Sequence, residues 1–446
     1  MKQCLNKRSE HTMDLIIDKG KCCGCSACMS ICPKDAITMQ SDKEGFLYPH
    51  INDELCVNCG LCKKVCTFQN GYDKEKSAEV PSGYAIKHKN EDIRANSRSG
   101  GMFTALSDYI LDTLGGVVYG AGYEEHFKVV HKCANTKEER DEFRGSKYVQ
   151  SDMNGCFREI KERLKNNETV LFSGTACQTA ALRQYCGEKL EKNLYLVDIV
   201  CHGVPSPMIW QDFLKTREKE FHGKVKKVDF RNKRKFGWNT HHETIVIKGK
   251  ELSSRIYTKL FYKDAMLRPS CYQCIYTNKQ RPSDVTLADF WGHEKAVPEF
   301  HTDNKGLSLV LGNTEKGRKW IESVLDSVDY IDVTGYPYRH TNMKRPTARP
   351  EDREQVWEEY FDKGFVHVAE KYAGYQYKSY ASRIMEDFLE KIGFSKKKKG
   401  KKKKTKKKAK KGSKKAKEST LKQVSKNILR KLGLFHFAKK IYKHFK

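Results

Sequence analysis

Apolar positions along most of this chain recur at intervals that predict alternating strands and helices. Met102, Phe103, Leu106, Ile110 and Leu114 share one helical face, and the pattern stops at Gly115-Gly116. Thr169 to Ser173 is a β-rich run that breaks at Gly174-Thr175, and a helical run from Ala176 to Tyr185 follows it. Leu194 to Val200 reads as another strand, ending at Cys201-His202-Gly203. Gly306 to Leu311 reads as a buried strand before a helix at Glu315–Leu325. This alternation predicts an α/β body. Upstream of it, Ala36–Gln40 and Phe46–Ile51 read as a hairpin, with Asp42-Lys43-Glu44-Gly45 as its turn. Residues 71–82 are polar, hold Pro81 and read as a linker, whereas residues 341–394 read as helical and charged.

Charge changes the picture only at one end. The 446 residues carry 85 Lys plus Arg against 56 Asp plus Glu, a formal net charge of +29. Sixteen of the 22 positions from Lys396 to Lys417 are Lys, and eight more Lys or Arg follow Leu421. With Glu418 as the only acid after residue 394, the tail carries +23 and leaves +6 to the rest. Residues 395–420 are too repulsive to fold. Beyond them, Leu421, Val424, Ile428, Leu432, Phe435, Ala438, Ile441, Tyr442 and Phe445 make an apolar face. Lys422, Lys426, Arg430, Lys439, Lys440 and Lys443 lie opposite, and Gly433 interrupts the pattern. A cationic amphipathic helix at 421–446 suits an anionic membrane surface, with docking on the body or a partner as the alternative. Polylysine also binds nucleic acid, but no aromatic-interleaved basic surface or recognition motif supports a specific nucleic-acid contact.

The 17 cysteines carry the chemistry. The count is odd, the chain is long enough to need no staples, and Met1 to Met13 shows no apolar signal region. No run of about 18 apolar residues is present to span a bilayer. A reducing cytosol is the expected setting, with the tail offering a peripheral place on the inner face of a membrane. Cys22, Cys25, Cys28 and Cys32 have the spacing C-x2-C-x2-C-x3-C followed by Pro33, and Cys56, Cys59, Cys62 and Cys66 repeat it without the proline. Three cysteines of each run wrap one 4Fe-4S cubane and the fourth reaches the other. Cluster one is therefore expected on Cys22, Cys25, Cys28 and Cys66, and cluster two on Cys32, Cys56, Cys59 and Cys62. Two zinc knots are the alternative, but zinc does not call for a doubled three-plus-one pattern. The segment resembles the bacterial two-cluster ferredoxin fold. Cys23 is an extra cysteine inside the first loop and reads as a bystander.

Four further cysteines stand in the body. Cys177 follows the turn Gly174-Thr175, Cys201 ends a strand, and Cys271 and Cys274 form C-x2-C after Arg268-Pro269-Ser270. Strand ends of an open α/β sheet converge on one edge, so these four could share a site. Scattered core cysteines and a zinc site fit the spacing as well. Gly100-Gly101 before a helix suits a phosphate, Gly145-Ser146-Lys147 offers a second backbone approach plus a cation, and plain turns are the alternative.

The ordered set Ser97-Arg98-Ser99-Gly100-Gly101 with Thr104, Arg144 to Ser151, the Cys177 segment, Cys201-His202-Gly203-Val204-Pro205-Ser206, the Cys271/Cys274 segment and Asp284 to Gly292 resembles the beta subunit of coenzyme F-420 hydrogenases and dehydrogenases. One departure is Ala176, where that family usually has Pro before the cysteine. The resemblance implies a third 4Fe-4S cluster on Cys177, Cys201, Cys271 and Cys274, and a flavin, FAD or FMN. It puts forward Ser99, Gly100, Gly101, Thr104, Gly145, Ser146, Lys147, Tyr148 and Asp289 as the flavin's contacts. His202 is the candidate catalytic residue, as a proton donor, with a hydrogen bond to a cluster sulfur or a plain structural role as alternatives. Asp284 and Asp289 bracket a strand, capping its turns or facing the flavin.

The expected fold class is α+β. A two-cluster ferredoxin-type domain at 14–72 precedes an α/β flavin-binding body, whose two family parts are 83–160 and 161–340. A helical extension at 341–394, a Lys-rich linker at 395–420 and the amphipathic helix at 421–446 complete the map. The expected function is an iron-sulfur flavoprotein oxidoreductase that passes electrons between ferredoxin, or another low-potential donor, and a small organic acceptor. Surface-polysaccharide synthesis is one setting known for standalone relatives. The alternatives are an F-420-reducing hydrogenase or dehydrogenase beta subunit, and a ferredoxin-like carrier with no substrate of its own.

Overall fold

The computed structural model describes residue 15, residues 18–300 and residues 303–391. Its strands in chain order are β1 Ile37–Ser41, β2 Leu47–Ile51, β3 Ser82–His88, β4 Val117–Tyr123, β5 Val129–Ala134, β6 Val170–Thr175, β7 Leu194–Ile199, β8 Val225–Asp229, β9 Glu243–Ile247, β10 Lys250–Ser254, β11 Val285–Asp289, β12 Ser308–Gly312 and β13 Val328–Asp332. Eight of them form a mixed sheet in the order β13-β3-β12-β11-β7-β6-β4-β5. Its centre, β4-β6-β7-β11, is parallel, and the flanking pairs are antiparallel. The fold is thus mixed α/β, with a small N-terminal segment joined to the sheet.

Burial on both faces explains the near-continuous apolar strands. Phe172 and Leu196 face one core with Phe157, Ile160 and Leu182, while Leu171 and Val197 face the other with Leu106, Ile110 and Trp320. Ala27 and Val65 of the N-terminal segment join the first of these cores. The hairpin forms as β1 and β2, and Asp42 ties its turn by accepting from the Glu44 and Phe46 amides, each at 3.0 Å.

Several elements differ in extent from the sequence expectation. β6 does not break at Gly174-Thr175, because both residues still pair with Asp198 and Ile199 of β7. The helical face from Met102 holds, but the α-helix ends at Asp108 and widens into a π turn over Tyr109–Thr113, with the Leu114 amide donating to the Tyr109 carbonyl at 3.1 Å. The helix after Thr314 stops at Glu322. Residues 71–82 are held against the body rather than hanging as a spacer. Tyr72 donates to the Gln280 carbonyl at 2.7 Å, Lys76 pairs with Glu191, and the Ala78 amide donates to the Asn313 carbonyl. A separate antiparallel sheet, β10-β9-β8, has no counterpart in the sequence expectation. After residue 341 the helices are Arg353–Ala373 and Tyr380–Lys391. Arg353 anchors the first of them on the hairpin turn by pairing with Glu44.

Residues up to 375 form one compact unit, apart from 219–222, which group with the chain after 375. In that second unit the His222 ring stacks on Tyr380. Cys4, the Lys-rich linker at 395–420 and the amphipathic helix expected at 421–446 lie outside the described residues.

Candidate iron-sulfur and cofactor site

The two N-terminal cysteine runs fold as loops that lead into short helices, Ala27–Ile31 and Leu61–Lys64. Gly24 lies at φ +70°, and a Cβ there would fall 2.4 Å from Gln150 Nε2, so only glycine lets the first loop wrap this closely against the body. One cavity is lined by Cys22, Cys25, Cys28 and Cys66, with Cys23 and Cys62 also on its wall. A second is lined by Cys32, Cys56, Cys59 and Cys62. The remaining lining is largely apolar, including Leu15, Met39 and Pro49 in the first and Ile37, Ile51 and Val57 in the second. An all-sulfur donor set in a dry shell is what iron-sulfur cubanes take, so the residues fit the group. Burial pushes the Cys22, Cys28, Cys62 and Cys66 thiols up, so loading metal here releases protons.

The parallel strands deliver the body cysteines. Cys177 is the second residue of the helix Ala176–Cys186, which directly follows β6, and Cys201 follows β7 by two residues. Thr175 and Gln178 close a capping box around Ala176, which keeps the turn tight without proline. Cys271 lies in the 3₁₀ turn Pro269–Gln273, and Cys274 ends it. All four line one cavity, together with Cys23, Arg268, Tyr276 and Arg281. A hydrogen bond from Cys23, with a further one from Thr175, pulls the Cys177 thiol down to about 7. Burial pushes Cys271 up to about 12 and Cys274 up to about 11. The Val204 amide donates to Cys271 Sγ at 3.4 Å. Cys156 and Cys186 lie inside the hydrophobic core, with Cys133 packed against it.

Cys23, the extra cysteine of the first loop, lines both the first N-terminal cavity and the body cavity. Arg268 joins the same two regions. Its buried guanidinium donates to the Cys22 carbonyl at 2.6 Å, the Leu47 carbonyl at 2.9 Å and Gln150 Oε1 at 2.9 Å, and it sits 4.1 Å over the Tyr48 ring. Neither residue belongs to a spaced motif, and only the tertiary fold brings them forward.

A cavity of about 740 Å³ opens along the carboxyl edge of the sheet. This is where ligands bind in open α/β sheets, and the volume suits a small molecule or cofactor. Ser99, Gly101, Gly145, Ser146, Lys147, Tyr148, His202 and Asp289 all line it. Gly100 and Thr104 do not. Gly100 is buried against β3, where the His88 amide donates to its carbonyl at 2.7 Å and its own amide donates to Ser308 Oγ at 2.9 Å. Thr104 is buried and accepts from Arg144 Nε at 3.0 Å. Lys147 is drawn down to about 7 by burial, and its ammonium lies 5.3 Å over the Tyr123 ring. Asp289 accepts from Arg231 at 2.6 Å and from Trp238 Nε1 at 2.7 Å. Burial alone would raise its carboxyl, but Arg231, Trp238 and Arg98 hold it below the usual range. Asp284 stands at the other end of β11, accepting from the Leu196 amide, Arg183 and Thr314, each at 2.9 Å. It ties elements together and does not line the cavity.

His202 lies on the partition between the large cavity and the four-cysteine cavity, which share Thr175, Cys201, His202, Gly203, Val204 and Asn342. Its Nε2 is 2.6 Å from Asp264 Oδ1, which fixes the ring. Arg231 and His131 also line the large cavity without any sequence signal that assigns them there, while Arg98 and Trp291 join them from within the Ser97 to Gly101 and Asp284 to Gly292 motifs.

Three clustered thiol sets, one of them sharing a wall with a large cavity, suit an iron-sulfur oxidoreductase, and comparison with known proteins gives the family. Residues 84–157 and 167–335 match the N-terminal and C-terminal models of "Coenzyme F420 hydrogenase/dehydrogenase, beta subunit", and residues 21–70 match a 4Fe-4S dicluster domain. The chain belongs to this family of beta subunits and carries a 4Fe-4S ferredoxin-like region at its N-terminal side. One subunit of the F(420)H(2) dehydrogenase of Methanosarcina mazei is 22% identical over 338 residues, covering 71% of this chain and 86% of that protein. An uncharacterized ferredoxin of Methanocaldococcus jannaschii is 35% identical over 54 residues, 12% of this chain and 69% of that one. A chain of the F420-reducing NiFe hydrogenase complex of Methanosarcina barkeri is 16% identical with a TM-score of 0.41, over 64% of this chain and 94% of that chain.

Proposed function

We propose that this chain is a beta-type subunit that exchanges a hydride with the deazaflavin F-420 in the 740 Å³ cavity and exchanges single electrons with a protein partner. The observation that carries this reading is the shared wall. The loop Cys201 to Val204 separates the large cavity from the four body cysteines, so one-electron and two-electron chemistry meet across it. The match to F-420 enzymes favours this over a standalone reductase of surface-polysaccharide synthesis or a bare ferredoxin-like carrier.

In this reading Cys22, Cys25, Cys28 and Cys66 hold one 4Fe-4S cluster, Cys32, Cys56, Cys59 and Cys62 a second, and Cys177, Cys201, Cys271 and Cys274 a third. A flavin, FAD or FMN, occupies the large cavity against Ser99, Gly101, Gly145, Ser146, Lys147 and Tyr148. Gly100, Thr104 and Asp289 support that wall. The fit rests on the cavity's size and on its cationic lining, which includes Arg98, Arg144, Lys147 and Arg231. Clusters supply electrons singly, and a flavin gathers them into a hydride pair. The protein's own residues exclude water, orient the ring systems and move the proton. His202, fixed through Nε2 by Asp264, is the candidate proton carrier, with Nδ1 as the working nitrogen. The electron partner is a ferredoxin or another low-potential protein, and either direction of flow suits these residues. The Lys-rich tail would hold the chain at an anionic membrane surface. Among the described residues no helix is long and apolar enough to cross a membrane.

The test is iron, sulfide and flavin analysis of the purified protein, followed by reduction of F-420 with a viologen dye as electron source. About twelve irons and one flavin are expected. About eight irons and no flavin would sink the body assignment. A fully loaded protein that leaves F-420 untouched would sink the substrate.

A further inference from the structure

Arg268 is fully buried, and an arginine cannot shed its proton to relieve the cost of burial. Arg94, Arg140, Arg231, Arg281 and Arg353 are buried as well, and each pairs with a carboxylate. Arg268 pairs with no carboxylate among the described residues. Its guanidinium donates to the Cys22 and Leu47 carbonyls and to Gln150 Oε1, all neutral, and lies over the Tyr48 ring. These partners satisfy its N–H groups and leave its charge uncompensated. Buried charges are held by groups of opposite sign, so the counter-ion of Arg268 belongs beside it.

Two thiol sets meet there. Arg268 Nη2 is 3.5 Å from Cys22 Sγ, in the first N-terminal set. Arg268 also lines the cavity of Cys177, Cys201, Cys271 and Cys274. Burial pushes the Cys22 and Cys271 thiols up, and in both the Arg268 charge pulls the other way, so its field reaches a member of each set. None of its hydrogen bonds goes to the second N-terminal set, Cys32, Cys56, Cys59 and Cys62. A 4Fe-4S core held by four thiolates is an anion, and each added electron makes it more negative. A fixed cation nearby favours the reduced form and raises the potential.

We propose that Arg268 is the shared counter-ion of the first N-terminal set and the body set, its single charge raising the reduction potentials of the clusters on both. The inference rests on the cluster reading above and adds the residue that tunes the junction between the ferredoxin-like segment and the body.

Three variants of the full chain separate charge from packing. Arg268→Gln removes the charge and Arg268→Lys keeps it. Gln150→Glu leaves Arg268 in place and sets a carboxylate where Gln150 Oε1 accepts from its Nη1 at 2.9 Å, so the chain itself supplies the counter-ion. Each protein is loaded with iron, its iron is counted, and the clusters are titrated with redox mediators and read by electron paramagnetic resonance. Arg268→Gln and Gln150→Glu should each lower two of the three midpoint potentials and leave the third in place. Arg268→Lys should keep all three close to those of the unaltered protein. Unchanged potentials in Gln150→Glu, or one shift common to all three clusters, overturns the proposal and leaves the cluster reading standing. If Arg268→Gln fails to load, full loading of Arg268→Lys supports the need for the charge, and failure of both variants overturns it. About eight irons in the unaltered protein would remove the body cluster and overturn both readings.

Discussion

Burial sets the charge of Lys147, and the pocket's affinity for anions should follow it. A lysine in water stays charged well past neutrality, but this one is held near 7 because its ammonium is stripped of water. Below that pH it is a cation on the cavity wall, and above it a neutral amine. Binding a phosphate-bearing ligand favours the charged form, so at higher pH it must take up a proton. FMN affinity should therefore fall as pH rises from about 6 to about 9, whereas Lys147→Met should show weaker binding and little pH dependence over that range. Titration by fluorescence quenching at fixed ionic strength checks this. The cysteines offer a second test at the same scale. Cys177→Ser removes one thiol from the body set, and iron should drop from about twelve to about eight per chain with the N-terminal signals retained. The grouping of the thiols was legible in the sequence because the N-terminal cysteines are locally spaced and two body cysteines stand at strand ends. Cys23 and Arg268 were not legible, because their roles come from neighbours far away in the chain, 127 residues for Cys23 and 246 for Arg268.

At the scale of elements, the glycine pair at 100–101 shows how a motif can be read for the wrong reason. Gly101, at φ +103°, does line the cavity, as a phosphate-binding turn would require. Gly100 answers to packing instead. A Cβ there would come 2.1 Å from the Ile86 carbonyl and 2.7 Å from the Ser308 amide, both backbone atoms. Gly100→Ala must therefore push the helix Met102–Asp108 away from β3 and β12, whatever the cavity holds. It should lower stability by several kcal/mol, in the range of overpacking and backbone strain. Denaturant unfolding of the flavin-free protein should show the loss in full, which a purely ligand-binding role would not. Arg268→Met tests the junction of the N-terminal segment with the body. It removes three hydrogen bonds of 2.6–2.9 Å from a buried guanidinium. A cost of several kcal/mol follows from leaving three buried acceptors without their donor, read as early loss of the N-terminal clusters during unfolding. Three strands of the main sheet, β6, β7 and β12, could be read from apolar runs because both faces are covered. β8 and β10 could not, since their exposed positions blur the apolar signal, as in Val225-Lys226-Lys227, where two exposed lysines follow a buried valine.

For the whole molecule, charge and chemistry occupy different parts of the chain. The cysteines and the cavity lie within the unit that ends at Tyr375, while residues 395–446 carry +23 and the remainder only +6. An electron-transfer body with near-balanced charge needs no polycation to fold or to hold clusters. The tail is better suited to location, because each Lys or Arg near an anionic leaflet contributes about 1 kcal/mol and the attraction decays within a Debye length. Removing residues 395–446 should leave iron content, flavin content and dye-linked activity unchanged. It should abolish sedimentation with vesicles containing phosphatidylserine, which the full chain should show at low salt and lose as salt rises. Binding that persists in the truncated chain would place the membrane contact on the body. Loss of iron on truncation would instead make the tail part of the fold, and the separation of charge from chemistry would fail with it.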